Sequence, residues 1–412
     1  MKGPEQDSID TLTAQLRAAN ERADWLGAAD VAQRLVALDP ASLQSRYHRA
    51  LAFARAGATR QARRFFEDDR LRERAASAPR RERVDVLCLH GRLLKDEAYA
   101  HGDPARRQEL LAAAALAYAQ ADASDGYPLV NTATLLALSG DAVRAGEFAR
   151  RALASVAGEE GFWAAATRAE ALIVLGEYAR AADALTLAAQ AADHDYAKSA
   201  SARKQLGILL TSLGQPSTLL EPLARIVPTT IHFTGRRFVE HSAEEPDLAR
   251  AVADYLERNN VGFGFGSLAA GSDIVVAEAL IARGATLSLV LPYNMEEFVA
   301  LSVASMGGSW VSRFYAIVDH VRTSGRAHLH FATKEDDRYL DDDVLYAYSA
   351  RYAMGLAILR AQALRAAPAR QLALWGGEEE LGTPVAGTYR DVATWRATGY
   401  ETDSIFVSRL PP

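Results

Sequence analysis

The sequence predicts two domains of different class: an all-helical repeat solenoid over residues 1–225, then a parallel α/β sheet domain over 226–412. Three observations carry that prediction. Residues 8 to 225 have almost no strand signal, and their apolar residues, mostly Ala and Leu, recur at three and four. Within that stretch a glycine-centred turn repeats. From Ile226 onward, Ala-rich helices give way to strand–turn–helix units, the pattern of a parallel sheet covered by helices.

Composition sets the outer bounds. A chain of 412 residues with 49% apolar content can bury the cores of two or three domains. A net charge of −6 and a pI near 5.9 lack the electrostatic footprint of non-specific DNA or RNA binding, which argues against nucleic acid as a partner. Cys88 is the only cysteine, which excludes a disulfide framework and a thiolate zinc cluster. The start, MKGPEQDSIDTL, lacks the basic and apolar regions of a signal peptide, and no run reaches membrane-spanning length. The expectation is a cytoplasmic protein with no membrane part.

In the helical half, the turn Gly57–Ala62 matches Gly140–Ala145 and Gly176–Ala181, each with Ala five residues after Gly. Ala50, Ala133 and Ala169 sit seven before those glycines. An earlier copy at Gly27 and Ala32 is looser, with Asn20 in place of Ala, and a degenerate last copy surrounds Gly214. Between Gly57 and Gly140 the repeat is stretched, which predicts one hairpin with a longer loop near Gly102, Asp103 and Pro104. Spacings bracketing about 34 residues resemble tetratricopeptide (TPR) helical hairpins, where small residues let paired helices approach and Gly closes the turn. A TPR-like solenoid implies a protein partner.

Two segments go further. Gly91–Asp96 and Asp125–Leu136 resemble the TRAFs-binding region of the apoptosis signal-regulating kinases and its bacterial relatives, over residues 80–190. No kinase loop of HRD or DFG type follows, so that resemblance implies an interaction or regulatory solenoid without catalysis. Arg92, Lys95 and Asp96 read either as a helix-surface ion-pair set or as partner contacts.

In the second half, strands are expected at 230–234, 261–264, 286–291, 327–332, 371–375 and 404–408. Helices are expected at 246–258, 273–283, 295–305, 309–322, 343–365 and 388–397. Ligands of such sheets bind at the carboxyl ends of the strands. Thr234, Gly235, Arg236 and Arg237 follow the first strand; Gly264, Gly266, Ser267, Gly271, Ser272 and Asp273 follow the second. Pro292, Tyr293 and Asn294 follow the third, Trp375 and Gly376 the fifth, and Gly387 and Thr388 open the last helix. Together with Gly262, the glycines after the second strand give a loop whose amides can approach a ligand. The helix beginning at Ser272 and Asp273 then offers its N-terminal amides and dipole to an anion. Arg236 and Arg237 offer bidentate phosphate contacts, or surface ion pairs with Glu240 or Glu244. Asp273 reads as a helix cap, or as an acceptor for a ribose or base. Tyr293 and Trp375 read as base-stacking groups or as rim packing. His328 and His330 share a strand face without a third ligand, so no metal site is expected. No nucleophile triad or Walker sequence is present, and nothing calls for a bound cofactor.

These residues also carry a resemblance. Thr234–Arg236, then Gly266–Asp273 leading to Ala277–Leu280 and Gly284–Thr286, resembles the pattern of DNA-processing protein A (Smf). Gly387-Thr388-Tyr389-Arg390-Asp391 resembles the Gly-Thr-x-x-Glu loop of the cytokinin-activating "lonely guy" enzymes. Together they resemble the SLOG superfamily of Rossmann-like ligand binders, over residues 228–408. The departures are a longer loop that separates Pro384 from Gly387, Asp391 in place of Glu, and an acidic chain in place of a basic groove. What the resemblance implies is a sensor: a nucleotide-type ligand on the Rossmann-like domain, its state relayed by the repeats to a protein partner. Two alternatives stay open. One is a phosphoribohydrolase or nucleosidase using Asp391, Glu278 or Asp273. The other is a ligand-free scaffold in which Gly266 and Gly271 tolerate alanine for function, provided the backbone there has φ < 0. The resemblance also implies a possible homodimer, with the 343–365 helix as one face.

Overall fold

The computed structural model describes residues 4–21, 25–122, 124–239, 245–324, 327–365, 367–377 and 385–407. It divides into two compact units, Met1–Ile226 and Val227–Pro412.

The first unit is helical throughout. Its elements are α1 (Pro4–Glu21), α2 (Trp25–Leu38), α3 (Leu43–Arg55), α4 (Thr59–Asp68), α5 (Leu71–Ala75), α6 (Arg80–Ala100) and α7 (Pro104–Ala121). There follow α8 (Gly126–Leu138), α9 (Ala142–Ser155), α10 (Phe162–Val174), α11 (Tyr178–Gln190), α12 (Tyr196–Ser212) and α13 (Glu221–Arg225). Consecutive helices pack in pairs: α1 on α2, α3 on α4, α6 on α7, α8 on α9 and α10 on α11. Helices α8, α10 and α12 also touch one another, forming one row of the solenoid.

The repeated glycines explain the turns. Gly57, Gly140, Gly176 and Gly214 have φ of 84°, 86°, 78° and 65°, a left-handed backbone that a side chain resists. Each closes a C-terminal motif in which the next residue's N–H bonds back across the last turn. Ala58 donates to Phe53 O, Asp141 to Leu136 O, Glu177 to Leu172 O and Gln215 to Leu210 O. The alanines flanking three of these turns, Ala50, Ala62, Ala133, Ala145, Ala169 and Ala181, are fully buried where paired helices meet.

Three expectations need correction. Gly27 lies inside α2 and closes no turn. The stretch between Gly57 and Gly140 comes from the additional helix α5 and from the lengths of α6 and α7, not from a long loop. Only residues 101–103 join α6 to α7, because Asp103 caps α7 by accepting from Ala105 N and Pro104 starts the helix with its φ preset. Lys95, expected on the surface with Arg92 and Asp96, is buried, while Arg92 and Asp96 do pair at 3.5 Å.

The second unit is a six-stranded parallel sheet. Its strands are β1 (Thr229–Gly235), β2 (Val261–Gly266), β3 (Thr286–Leu291), β4 (His328–Phe331), β5 (Arg370–Trp375) and β6 (Thr402–Phe406), ordered β4-β3-β2-β1-β5-β6. Its helices are α14 (Glu245–Arg258), α15 (Ser272–Ala282), α16 (Met295–Ser302), α17 (Gly308–Thr323), α18 (Val344–Ala363) and α19 (Thr388–Ala397). Alternation along β2 separates the two faces. Phe263 lies under the Arg360 guanidinium of α18, whereas a Cβ on Gly264 would meet Leu280 of α15 at 2.3 Å. Helices therefore cover both faces, and the strands are buried on both sides as parallel sheets require.

Candidate functional site

From β1 the chain winds outward through β2 and β3 to β4, then returns to place β5 on the other side of β1. The carboxyl ends of β1 and β5 thus face connections that diverge, which is where open α/β sheets form their crevice. A cleft of about 840 Å³ lies there, a size that suits a small-molecule ligand.

Three loops build its floor. The end of β1 supplies Thr234, Gly235, Arg236 and Arg237; the β2–α15 loop supplies Ser267 and the first turn of α15 Asp273; the start of α19 supplies Gly387, Thr388 and Asp391. The opposite wall comes from Leu301, Ser302 and Ser305, and from Asp343, Tyr346 and Ser349 at the start of α18. Glycine occupies the N-caps of both α15 and α19, with φ of 90° at Gly271 and 111° at Gly387. No side chain caps either helix; Gly387 and Thr388 bring the start of α19 to the cleft, whereas at the start of α15 the buried Ser272 donates its N–H to the Arg236 carbonyl at 3.2 Å, and the first turns carry Asp391 and Asp273.

The charged groups on the floor are held by neutral partners. Asp391 accepts a hydrogen bond from Thr234 Oγ1 at 2.8 Å. Asp273 accepts from Ala269 N at 3.2 Å, which braces the β2–α15 loop. Burial raises the Asp273 pKa to about 7, the Ala269 N–H opposes that rise, and the nearby Asp391 charge adds to it. Arg237 is exposed and donates from Nη1 to Leu301 O at 3.2 Å. The site therefore holds an arginine and two carboxyls, Asp273 buried and bonded to a backbone N–H and Asp391 bonded to a threonine hydroxyl.

Eight of the residues expected from sequence line this cleft: Thr234, Gly235, Arg236, Arg237, Ser267, Asp273, Gly387 and Thr388. The others serve the fold. Gly264 and Gly266 belong to β2, not to a loop, and a Cβ on Gly266 would lie 2.5 Å from the Phe233 ring. Ser272 is buried against Gly235, whose added Cβ would approach it to 2.3 Å. Gly271 sets the entry of α15 with a left-handed backbone, and a Cβ there would lie 2.7 Å from Phe238 N. Alanine at Gly266 or Gly271 would thus disturb packing whether or not a ligand binds.

Tyr293 cannot stack on a base from its position. It is fully buried, and its hydroxyl bonds that of Tyr346. Asn294 caps α16 by accepting from Glu297 N, and the Pro292 carbonyl accepts from Thr333 Oγ1. Trp375 is buried, with its indole N–H on Ser404 Oγ and its ring against Tyr389. Gly376, which follows it, does not line the cleft. Glu278 forms a two-pronged ion pair with Arg313, away from the cleft. Glu240, Glu244 and Pro384 lie outside the described residues. Sequence reading missed the wall formed by Ser302, Asp343 and Tyr346, because nothing local announces that α18 returns to cover β1.

Residues 24–136 match the family described as Tetratricopeptide Repeats-Sensor, TPR-S. Among solved structures, TTC0263, a thermophilic TPR protein of Thermus thermophilus, is 16% identical at a TM-score of 0.38, over 51% of this chain and 98% of that one. Comparison with curated proteins gives no match. Among the described residues no helix is long and apolar enough to cross a membrane. The first unit is a TPR-like helical solenoid, joined to a parallel-sheet domain of a different class.

Proposed function

We propose that the protein is a ligand-gated regulator: the cleft of the second unit binds a nucleotide or nucleotide-derived signal, and the TPR-like unit carries that state to a protein partner. The observation that carries the ligand class is the meeting of the glycine-capped N-terminus of α19 with Arg236 and Arg237 on one cleft beside β1 and β5. That combination suits phosphate oxygens. Asp391, fixed by Thr234, is placed to accept from a ribose hydroxyl or a base. The resemblance of Thr234–Arg236, Gly266–Asp273 and Gly387–Asp391 to SLOG-type ligand binders points the same way. TPR repeats generally dock proteins, and the name of the matched family adds a sensing role.

Thermal-shift measurements against adenine and guanine nucleotides, cyclic oligonucleotides and ADP-ribose derivatives test this. At least one compound is expected to raise the midpoint in proportion to the logarithm of its concentration above Kd. A folded protein that responds to none of them removes the proposal.

One observation favours a second reading, N-glycosidic hydrolysis. Asp273 holds a proton near neutrality while Asp391 sits beside it in a hydrogen-bonded setting, the division seen between a general acid and its partner carboxylate. Incubation with nucleoside monophosphates and chromatography for free base separates the two: stoichiometric binding without release of base keeps the regulator.

A further inference from the structure

Below the rim of the cleft, β1 carries a second polar group. Thr234 and His232 alternate onto the face of β1 that α19 covers. Thr234 Oγ1 bonds Asp391, and the His232 ring stacks on Trp395 with centres 5.6 Å apart and planes 17° apart. Two residues along a strand span about 6.6 Å, so His232 lies that far beneath the rim. It is 2% exposed and still lines the cleft. Ser349 and Ala350 of α18 line the same space, and side chains that small leave room at this depth.

The hydrogen bonds around His232 decide which ring nitrogen carries the proton. Gln371 on β5 places its side-chain nitrogen 3.2 Å from His232 Nδ1 and 3.4 Å from the Asp391 carbonyl oxygen. Its side-chain oxygen accepts from Thr402 Oγ1 at 3.1 Å. A carbonyl oxygen only accepts, so the end of Gln371 that faces Asp391 O is the donating amide nitrogen, and Nδ1 accepts from it. Burial alone pulls the His232 pKa down to about 3, so the ring is neutral. A neutral ring whose Nδ1 accepts holds its proton on Nε2.

Nε2 has no hydrogen-bond partner among the described residues, and it is not one of the buried side-chain atoms left without one. Its N–H therefore opens onto the cleft. Donors at such depth are nearly always paired, and here the pairing is left to whatever enters. The two levels of the cleft then differ in charge. Arg236, Arg237 and the start of α19 suit phosphate at the rim. An anion at His232 would exchange its hydration for one neutral N–H, which is costly. A carbonyl oxygen or an unprotonated ring nitrogen loses far less in the same move.

We propose that His232 reads the base of the ligand: its Nε2–H donates to a carbonyl oxygen or ring nitrogen of a nucleobase, while Arg236 and Arg237 hold the phosphates above. This rests on the reading of the cleft as a nucleotide site and makes His232 its specificity residue.

The test uses the full chain, with AMP, GMP and ADP-ribose as probes and ribose 5-phosphate as the base-free control, titrated calorimetrically. His232→Phe keeps a ring against Trp395 and removes the N–H. The affinity for a nucleotide relative to that for ribose 5-phosphate is expected to fall roughly tenfold or more. His232→Gln, which can bring an amide N–H near the Nε2 position, should recover part of that ratio. Arg237→Ala should weaken nucleotide and ribose 5-phosphate alike and leave the ratio in place. Circular dichroism confirms that the variants stay folded. A nucleotide that Arg237→Ala weakens and His232→Phe does not overturns this inference and leaves the cleft reading standing. A folded chain that binds none of the probes overturns both. A second measurement needs no ligand: in the chain labelled with [15N]histidine, the signals lost in His232→Gln should show Nδ1 bare and Nε2 protonated near neutral pH. A proton on Nδ1 overturns the inference whatever the nucleotides do. Saturating nucleotide should then move the Nε2 signal of the wild type, and a signal that stays in place overturns the contact even where His232→Phe fails to fold.

Discussion

Asp273 lies buried at the cleft, and its environment makes a pH signature. Its pKa is raised from 3.8 to about 7, so between those values the folded chain holds a proton that the unfolded chain has released. Stability from this group is present below about pH 4 and lost as pH rises toward 7. Asp273→Asn has no such loss, so its stability relative to wild type should climb across that window, by at most about 1.4 kcal/mol per pH unit. Urea midpoints at a series of pH values check this, and a difference that stays flat with pH contradicts it. Arg237 makes a different kind of test. Its side chain is exposed and, among the described residues, donates to Leu301 O. Arg237→Ala should leave folding nearly unchanged and weaken a phosphate-bearing ligand by about 1–3 kcal/mol. Unchanged affinity for a ligand known to bind would take Arg237 out of the site.

At the level of elements, the turns are the most exposed to test. Gly140 has φ of 86° with open space where a Cβ would go, so Gly140→Ala adds backbone strain without a clash. It should cost about 1–2 kcal/mol, and Gly140→Asn should recover part of that. Chemical denaturation followed by helical signal measures both, and equal stability of the alanine variant would mean the turn is not held left-handed. These turns were legible in sequence because left-handed closure leaves a mark at each repeat: Gly, with small residues five after and seven before. The α5 insertion was not legible, since Arg70, with φ of 49°, takes the left-handed position before it without the repeat's glycine. In the sheet, strand positions were readable from apolar runs, yet β2 continues through Gly264 and Gly266, where the sequence suggests a loop. Glycine there answers to packing, with Leu280 and Phe233 filling the space a side chain would take. Tyr293 and Trp375 misled for a related reason. An aromatic at a strand end looks the same in sequence whether it faces a ligand or a neighbouring helix.

At the scale of the molecule, two proposals concern self-association and the coupling of the two units. Val344, Tyr348, Tyr352 and Leu359 form an exposed stripe on α18, whose other side packs on β1, β2 and β3. If a second copy covers that stripe, light scattering should give a dimer that Tyr348→Glu converts to monomer; a monomeric wild type at micromolar concentration removes the dimer. If ligand state reaches the repeats, saturating nucleotide should change hydrogen exchange across residues 140–225, and unaltered exchange there would leave the two units merely tethered. The relay depends on the cleft binding its ligand, so the most direct measurement is isothermal titration of the full chain and of Arg237→Ala with the nucleotide panel. The expected result is saturable heat from at least one nucleotide-type compound, with Kd raised roughly tenfold or more in the variant. The contradicting result is a folded wild-type protein that binds none of them, or one whose affinity the variant leaves untouched.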